Sequence, residues 1–382
     1  MSWNNIVWKG KNNFIKNFRR SLLFQEKVSD KQRIAVIVLY TIGTSSMVIM
    51  ALEAKKDLWL SIIICYLMAM LMALMIARIK YLFPELDIFQ IFEKCFGKVL
   101  SKVIITIYMF AAFYVAVLIN TFLIHFIRVT ALPNTPKIVL DIFITWICVW
   151  MVKEGVENIS NLATLFFSPA LLSITMMVIA LYPQMNFDNL LPPFQEKFGH
   201  ILYGSLSTFV FPLGEIVVFT AFFKRFSTPK SSYKVLLIGP TIGALVVFTI
   251  SVTNVMVLGI NLASDVYYPT YISASRIVFG AYVHGFELIL SIVFILGALV
   301  KTNVYFLVCC KAIARTFGFG DDYKFIVTPV GLLIFCASLF FYEGTLDYTA
   351  WLKTDLVPYS IPYLILIPIM TFIVVEIRKK KI

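Results

Sequence analysis

Apolar residues fall in about ten long blocks along this chain, separated by short polar stretches. The blocks lie near 33–52, 58–78, 99–127, 138–152, 161–182, 203–223, 234–260, 284–311, 325–342 and 357–377. A bilayer core takes about 20 apolar residues per helix. The pattern therefore predicts an all-α membrane protein of about ten transmembrane helices. Residues 85–97 and 268–279 read as short amphipathic, interfacial segments.

Composition agrees. The chain is 60% hydrophobic and 14% charged, with mean hydropathy +0.87. Soluble domains carry about 45–50% apolar and about 25% charged residues. Lipid must then act as solvent for part of the surface. The spans are nearly continuous, so residues 31–382 read as a single membrane domain. Residues 1–30 are basic and lack a continuous apolar core, which argues against a cleavable signal peptide. Within them Val7, Trp8, Phe14, Ile15, Phe18 and Leu22 recur at helical spacing among lysines and arginines. That is the pattern of an amphipathic helix on an anionic lipid surface; a disordered basic tail is the alternative.

A net charge of +12 would suggest nucleic acid in a soluble protein. Here its placement explains it without such a partner. With even-numbered loops and both termini assigned to the cytoplasm, 25 basic residues fall inside and 7 outside. The positive-inside rule then places both termini in the cytoplasm. All but Cys95 of the six cysteines fall inside apolar runs, and none has zinc-like spacing, so they read as reduced, buried thiols. No motif calls for a cofactor.

Function is expected where a span breaks the rules for an inert helix. In the first span, Thr41-Ile42-Gly43-Thr44-Ser45-Ser46 interrupts an apolar run. Either backbone is released there to line a cavity, or small residues pack closely against a neighbour. In the sixth span, Phe211-Pro212-Leu213-Gly214-Glu215 combines a helix breaker, a flexible residue and a carboxylate at mid-membrane. Glu215 either faces an interior site or ties down the broken backbone. In the eighth span, Lys301 could pair with Glu215, take a place where related proteins hold a cation, or snorkel to the cytoplasmic face. Tyr108, Tyr114 and Asn120 in the third span line a pocket or simply pack. Asp141 and Glu343 lie near span ends and are expected to be hydrated.

Breaks in spans one and six are five spans apart. They suggest two five-span repeats of inverted topology with a midplane site between the broken helices. Exposed half-helix N–H groups suit a carboxylate, and a small amino acid fits such a site. The candidate substrate-binding residues are Gly43, Thr44, Ser45, Tyr114, Phe211, Leu213, Gly214, Glu215 and Lys301.

The chain resembles the spore germination permease family, the B subunits of bacterial germinant receptors. The resemblance covers roughly residues 30 to 380 and rests on Lys31-Gln32-Arg33, Ile42-Gly43-Thr44, Asp57-Leu58-Trp59-Leu60-Ser61, Phe211 to Glu215, Ser273-Ala274-Ser275-Arg276-Ile277 and Lys301. It implies similarity to amino acid–polyamine–organocation transporters, with a LeuT-like fold. It also implies the inner membrane of the spore, a receptor A subunit and a lipoprotein C subunit as partners, and a small nutrient germinant. The competing reading is an amino acid/proton symporter of the same fold. No H-E-x-x-H or G-x-S-x-G motif supports an intramembrane enzyme.

Overall fold

The computed structural model describes residues 28–278, 285–342, 351–352 and 354–378. The amphipathic N-terminal segment, Glu343, Lys353 and the final lysine run lie outside the described residues. Among the described residues every regular element is helical. In chain order these are α1 (Asp30–Ser45), α2 (Leu58–Leu82), α3 (Ile88–Thr130), α4 (Lys137–Glu154), α5 (Val156–Leu181), α6 (Phe198–Thr208), α7 (Val218–Phe222), α8 (Pro229–Asp265), α9 (Pro269–Ser275), α10 (Phe286–Thr316), α11 (Lys324–Phe340), α12 (Leu356–Ile361) and α13 (Ile367–Arg378).

Seven helical stretches among the described residues are long and apolar enough to cross a membrane: Leu52–Leu82, Ile88–Thr130, Val156–Gln184, Phe198–Phe222, Pro229–Asp265, Phe286–Thr316 and Leu356–Arg378. The three other predicted blocks hold α1, α4 and α11, which are 16, 18 and 17 residues long. The two segments read as interfacial are both helical. The first turns of α3 are set off from the rest by Gly97, at φ 75°, and α9 is a separate short helix.

Burial tells which helices sit at the centre. The best apolar windows of Phe198–Phe222 and Phe286–Thr316 are each 83% buried, against 22% for Val156–Gln184. The α6–α7 pair and α10 therefore form the middle of the bundle, and α5 is peripheral. Outer helices turn apolar stripes outward: Leu67, Leu71 and Leu74 on α2, and Phe143, Trp146, Ile147 and Trp150 on α4, are all exposed. Exposed apolar side chains at helical spacing are stable against lipid, not water. The chain is an integral membrane protein.

The short motifs at span ends are local anchors. Ser29 and Gln32 form a reciprocal capping box at the start of α1. The Gln32 side chain also donates to Asn161 at the start of α5. Asp57 is fully buried and accepts from the backbone N–H of Phe194 at 2.6 Å and of Glu196 at 2.9 Å. It pins the loop before α6 to the start of α2. Trp59 meets Phe194 edge to face at 5.7 Å, and the Ser61 hydroxyl donates to the Ile201 carbonyl.

Asp141 is not hydrated as its position near a span end suggested; it is fully buried. Its carboxylate accepts from Asn120 Nδ2 at 2.8 Å, from Thr145 Oγ1 at 3.0 Å and from the Ser338 hydroxyl. One turn inside α4, it faces α3 and α11 and ties three helices together. Asp141→Leu should therefore take the acceptor from the buried Asn120 and Thr145 donors, at about 1–3 kcal/mol each, while Ser338 keeps the Phe335 carbonyl. Asp141→Asn keeps one acceptor oxygen and should cost less. Thermal unfolding of the two detergent-solubilised variants would check the order.

Candidate functional site

The first break lies one turn later than the sequence suggested. Thr41–Ser45 are still helical, and α1 ends at Ser45 with Ser46 as its cap. Residues 46–51 are irregular before a short tight turn at Leu52–Asp57. The reason is local. Thr41 Oγ1 donates to the Ile37 carbonyl, Ser45 Oγ to Thr41 and Ser46 Oγ to Gly43. These hydroxyls bond back into their own helix and do not release it. Gly43 also has a different job from loosening the helix. A Cβ on it would lie 2.3 Å from the Gly297 carbonyl carbon, so α1 and α10 touch backbone to backbone there. Thr44 and Ser45 are buried.

The second break is where the sequence placed it. α6 gives way to a wide turn over Phe209–Leu213, with Phe211 extended at φ −155°, ψ 111° and the Phe211–Pro212 bond cis. A tight turn at Glu215–Val217 then leads into α7. Gly214 is required by space. Its N–H donates to the Phe209 carbonyl at 2.6 Å, and a Cβ would sit 2.5 Å from that oxygen. Pro212 and Leu213 are buried beside it, while Phe211 is only part-buried and touches both apolar clusters of the bundle.

This break delivers Glu215 to Lys301. Lys301 Nζ lies 2.5 Å from Glu215 Oε2, and the side chains are 0% and 2% exposed. Tyr305 Oη donates to Glu215 Oε1 at 2.6 Å. Lys301 Nζ also stands 3.9 Å from the Phe211 ring centroid and 4.7 Å from that of Tyr40. Tyr40 packs on Phe219 and Tyr305 at 4.8 and 5.9 Å. A lone charge here would cost several kcal/mol, and the opposite charge with two faces of aromatic π-density offsets it. Lys301 does not snorkel.

The remaining candidate, Tyr114, stands apart from this pair. Its hydroxyl bonds that of Tyr342 at 2.5 Å, and its ring rests among Phe341, Trp351 and Tyr359. Three contacts escaped the sequence reading. Tyr305 follows Lys301 by four residues and so shares its helix face, a legible signal. Tyr40 and Phe219 come from other helices, and nothing in the sequence links them to Lys301. Buried polar atoms without a partner also collect on the same helices: Thr44 Oγ1, Thr208 Oγ1, Thr302 Oγ1 and both side-chain polar atoms of Asn303. Buried polar groups are normally satisfied, so these mark helices with unused hydrogen-bonding capacity.

Below the pair, the end of α7 is clasped by cations from three helices. Lys311 Nζ donates to the Phe222 carbonyl at 2.8 Å and to Ala221 at 3.3 Å. Lys80 Nζ donates to the Lys224 carbonyl at 3.0 Å, and Arg33 Nη2 to that of Arg225 at 2.8 Å. Arg33 also covers the Phe223 and Phe226 rings. Cations suit the unpaired carbonyls at a helix C-terminus. Lys311→Met should lose two charge-assisted bonds and about 1.5–3 kcal/mol. Protease susceptibility of residues 223–228 would rise if the clasp holds this end closed, and would stay unchanged if it does not.

Known proteins resemble this chain in sequence and in arrangement. Residues 27–344 match the family model described as spore germination protein. Spore germination protein KB of Bacillus subtilis (strain 168) is 21% identical over 362 residues, covering 93% of this chain and 96% of that protein. Among solved structures, Mhp1, a nucleobase-cation-symport-1 family transporter in a closed conformation with bromovinylhydantoin bound, superposes with TM-score 0.69. It is 13% identical and covers 93% of this chain and 80% of its own. MhsT in complex with L-phenylalanine gives TM-score 0.58 at 12% identity, covering 90% and 97%. At such identities the two structures speak for the fold alone, that of LeuT-type transporters. The match over most of its length makes this chain a member of the spore germination permease family.

Proposed function

We propose that this chain is the germinant-sensing membrane subunit of a spore germinant receptor. It binds a small nutrient, an amino acid in the first instance, between the end of α1 and the break at Phe211–Glu215. The observation that carries this reading is the buried Glu215–Lys301 pair, presented by a helix that comes apart at mid-bundle. Gly43, Thr44, Ser45, Phe211, Leu213 and Gly214 lie at or beside those two points, and the unpartnered hydroxyl of Thr44 suits a polar ligand. Tyr114 lies in a separate aromatic group and contributes to packing there. The ligands named for MhsT and Mhp1, an amino acid and a hydantoin, are of the size such a fold encloses. Family membership supports the inner spore membrane as the location, with a receptor A subunit and a lipoprotein C subunit as partners. The charge asymmetry supports cytoplasmic termini.

Ligand contacts that differ between two arrangements of the bundle would shift their populations, and the partner subunits would read the shift. Spores lacking the chain are expected to fail to germinate on its nutrient while uptake of that nutrient stays intact. Uptake by the chain alone in proteoliposomes, with germination unaffected by its loss, would instead favour the symporter.

A further inference from the structure

The surroundings of Lys301 Nζ have the chemistry of an ammonium receptor. One carboxylate oxygen lies 2.5 Å from it, and the centroids of two aromatic rings lie 3.9 and 4.7 Å from it. The second carboxylate oxygen is held by the Tyr305 hydroxyl, which fixes the carboxylate's orientation. Carboxylate plus aromatic faces is the combination that selects a cation with an organic tail over a hydrated metal ion. The receptor walls come from three helical regions: Tyr40 from α1, Phe211 and Glu215 from the break, Tyr305 from α10. The occupant, Lys301, comes from α10 as well. Four of these five side chains are buried; Phe211 alone retains partial exposure, so it is the wall through which the cage can open.

We propose that Glu215, Tyr40 and Phe211 form a receptor for a primary ammonium group that the chain keeps filled with its own lysine, and that an amine-bearing ligand acts by displacing Lys301 from it. The proposal rests on the proposed site and deepens it, naming the ligand group and the contact that must break. While the cage is filled, Lys301 ties α10 to the broken segment. A ligand ammonium that takes its place at Glu215 frees α10 from that tie, and the lysine charge must then find a new partner, for which a ligand carboxylate is the natural acceptor. An α-amino acid carries both groups.

The test uses purified full-length protein and n-butylammonium, which copies the end of the lysine side chain. Lys301→Ala is expected to bind n-butylammonium at least about tenfold more tightly than the wild type, and to be raised in thermal midpoint by it. Lys301→Ala/Glu215→Gln should bind it no better than the wild type. If Lys301→Ala is too unstable to extract, extraction is repeated with saturating n-butylammonium. Recovery only with the amine supports the cage; recovery in neither condition, with the double variant recovered in both, overturns it. Equal affinity of Lys301→Ala and the double variant also overturns it. Because this readout involves no germinant, it can fail while the sensing role stands, and the spore phenotype can fail while the cage stands.

Discussion

Lys301→Met is expected to lower the stability of the protein by about 3–5 kcal/mol. The substitution keeps most of the side-chain volume but leaves the buried Glu215 carboxylate without its counter-ion, held by the Tyr305 hydroxyl. An unpaired buried charge is costly because neither water nor a counter-ion compensates it. Glu215→Gln should be milder, since the amide oxygen can still accept from Tyr305, yet it leaves the ammonium without its anion. Combining the two should recover most of the loss, because the double variant leaves no unpaired charge at this site. Thermal unfolding of the four proteins in one detergent gives the coupling directly. Independent, additive losses would mean that the pair does not hold the break in place.

The second large effect belongs to the contact between α1 and α10. Gly43→Ala should cost about 3 kcal/mol, the upper part of the range for overpacking. The added methyl would come within 2.3 Å of the Gly297 carbonyl carbon and 2.5 Å of its oxygen. Both are backbone atoms in the middle of a long helix, so no rotamer change relieves the clash and the helices must separate. Gly297→Ala meets Gly43 Cα at the same 2.3 Å and should behave alike. Gly199→Ala is the control: a Cβ there meets nothing within 4 Å. Separation of α1 from α10 also draws Tyr40 away from Lys301, so germination should suffer beyond what the loss of stability explains. Wild-type stability in Gly43→Ala would contradict the close approach.

Much of this was readable from the chain. Long apolar runs dictate helices because lipid offers no partner to exposed backbone, and their positions follow from hydropathy alone. The break at Phe211–Glu215 was equally legible, since proline, glycine and a carboxylate in an apolar run each oppose a plain helix. The end of α1 was harder. Thr41, Ser45 and Ser46 look like helix breakers in sequence, but their hydroxyls satisfy carbonyls of the same helix, so the helix persists one turn further. Asp141 departs from expectation for a different reason. Distance from a span end says nothing about which face a residue takes, and its face meets Asn120 and Ser338. Tyr305 is absent from the sequence reading although its spacing of four from Lys301 carries the signal, whereas Tyr40 reaches Lys301 only through tertiary packing.

One measurement weighs most on the sensing site. Spores carrying Glu215→Gln, and spores carrying Glu215→Gln/Lys301→Met, are compared with wild type across a panel of amino acids at matched protein levels. The nutrient that triggers the wild type is expected to need about tenfold or more higher concentration in both variants, the range in which one lost charged contact falls. Dose–response curves that coincide with the wild type for every nutrient would show that germinant recognition takes place elsewhere in the receptor.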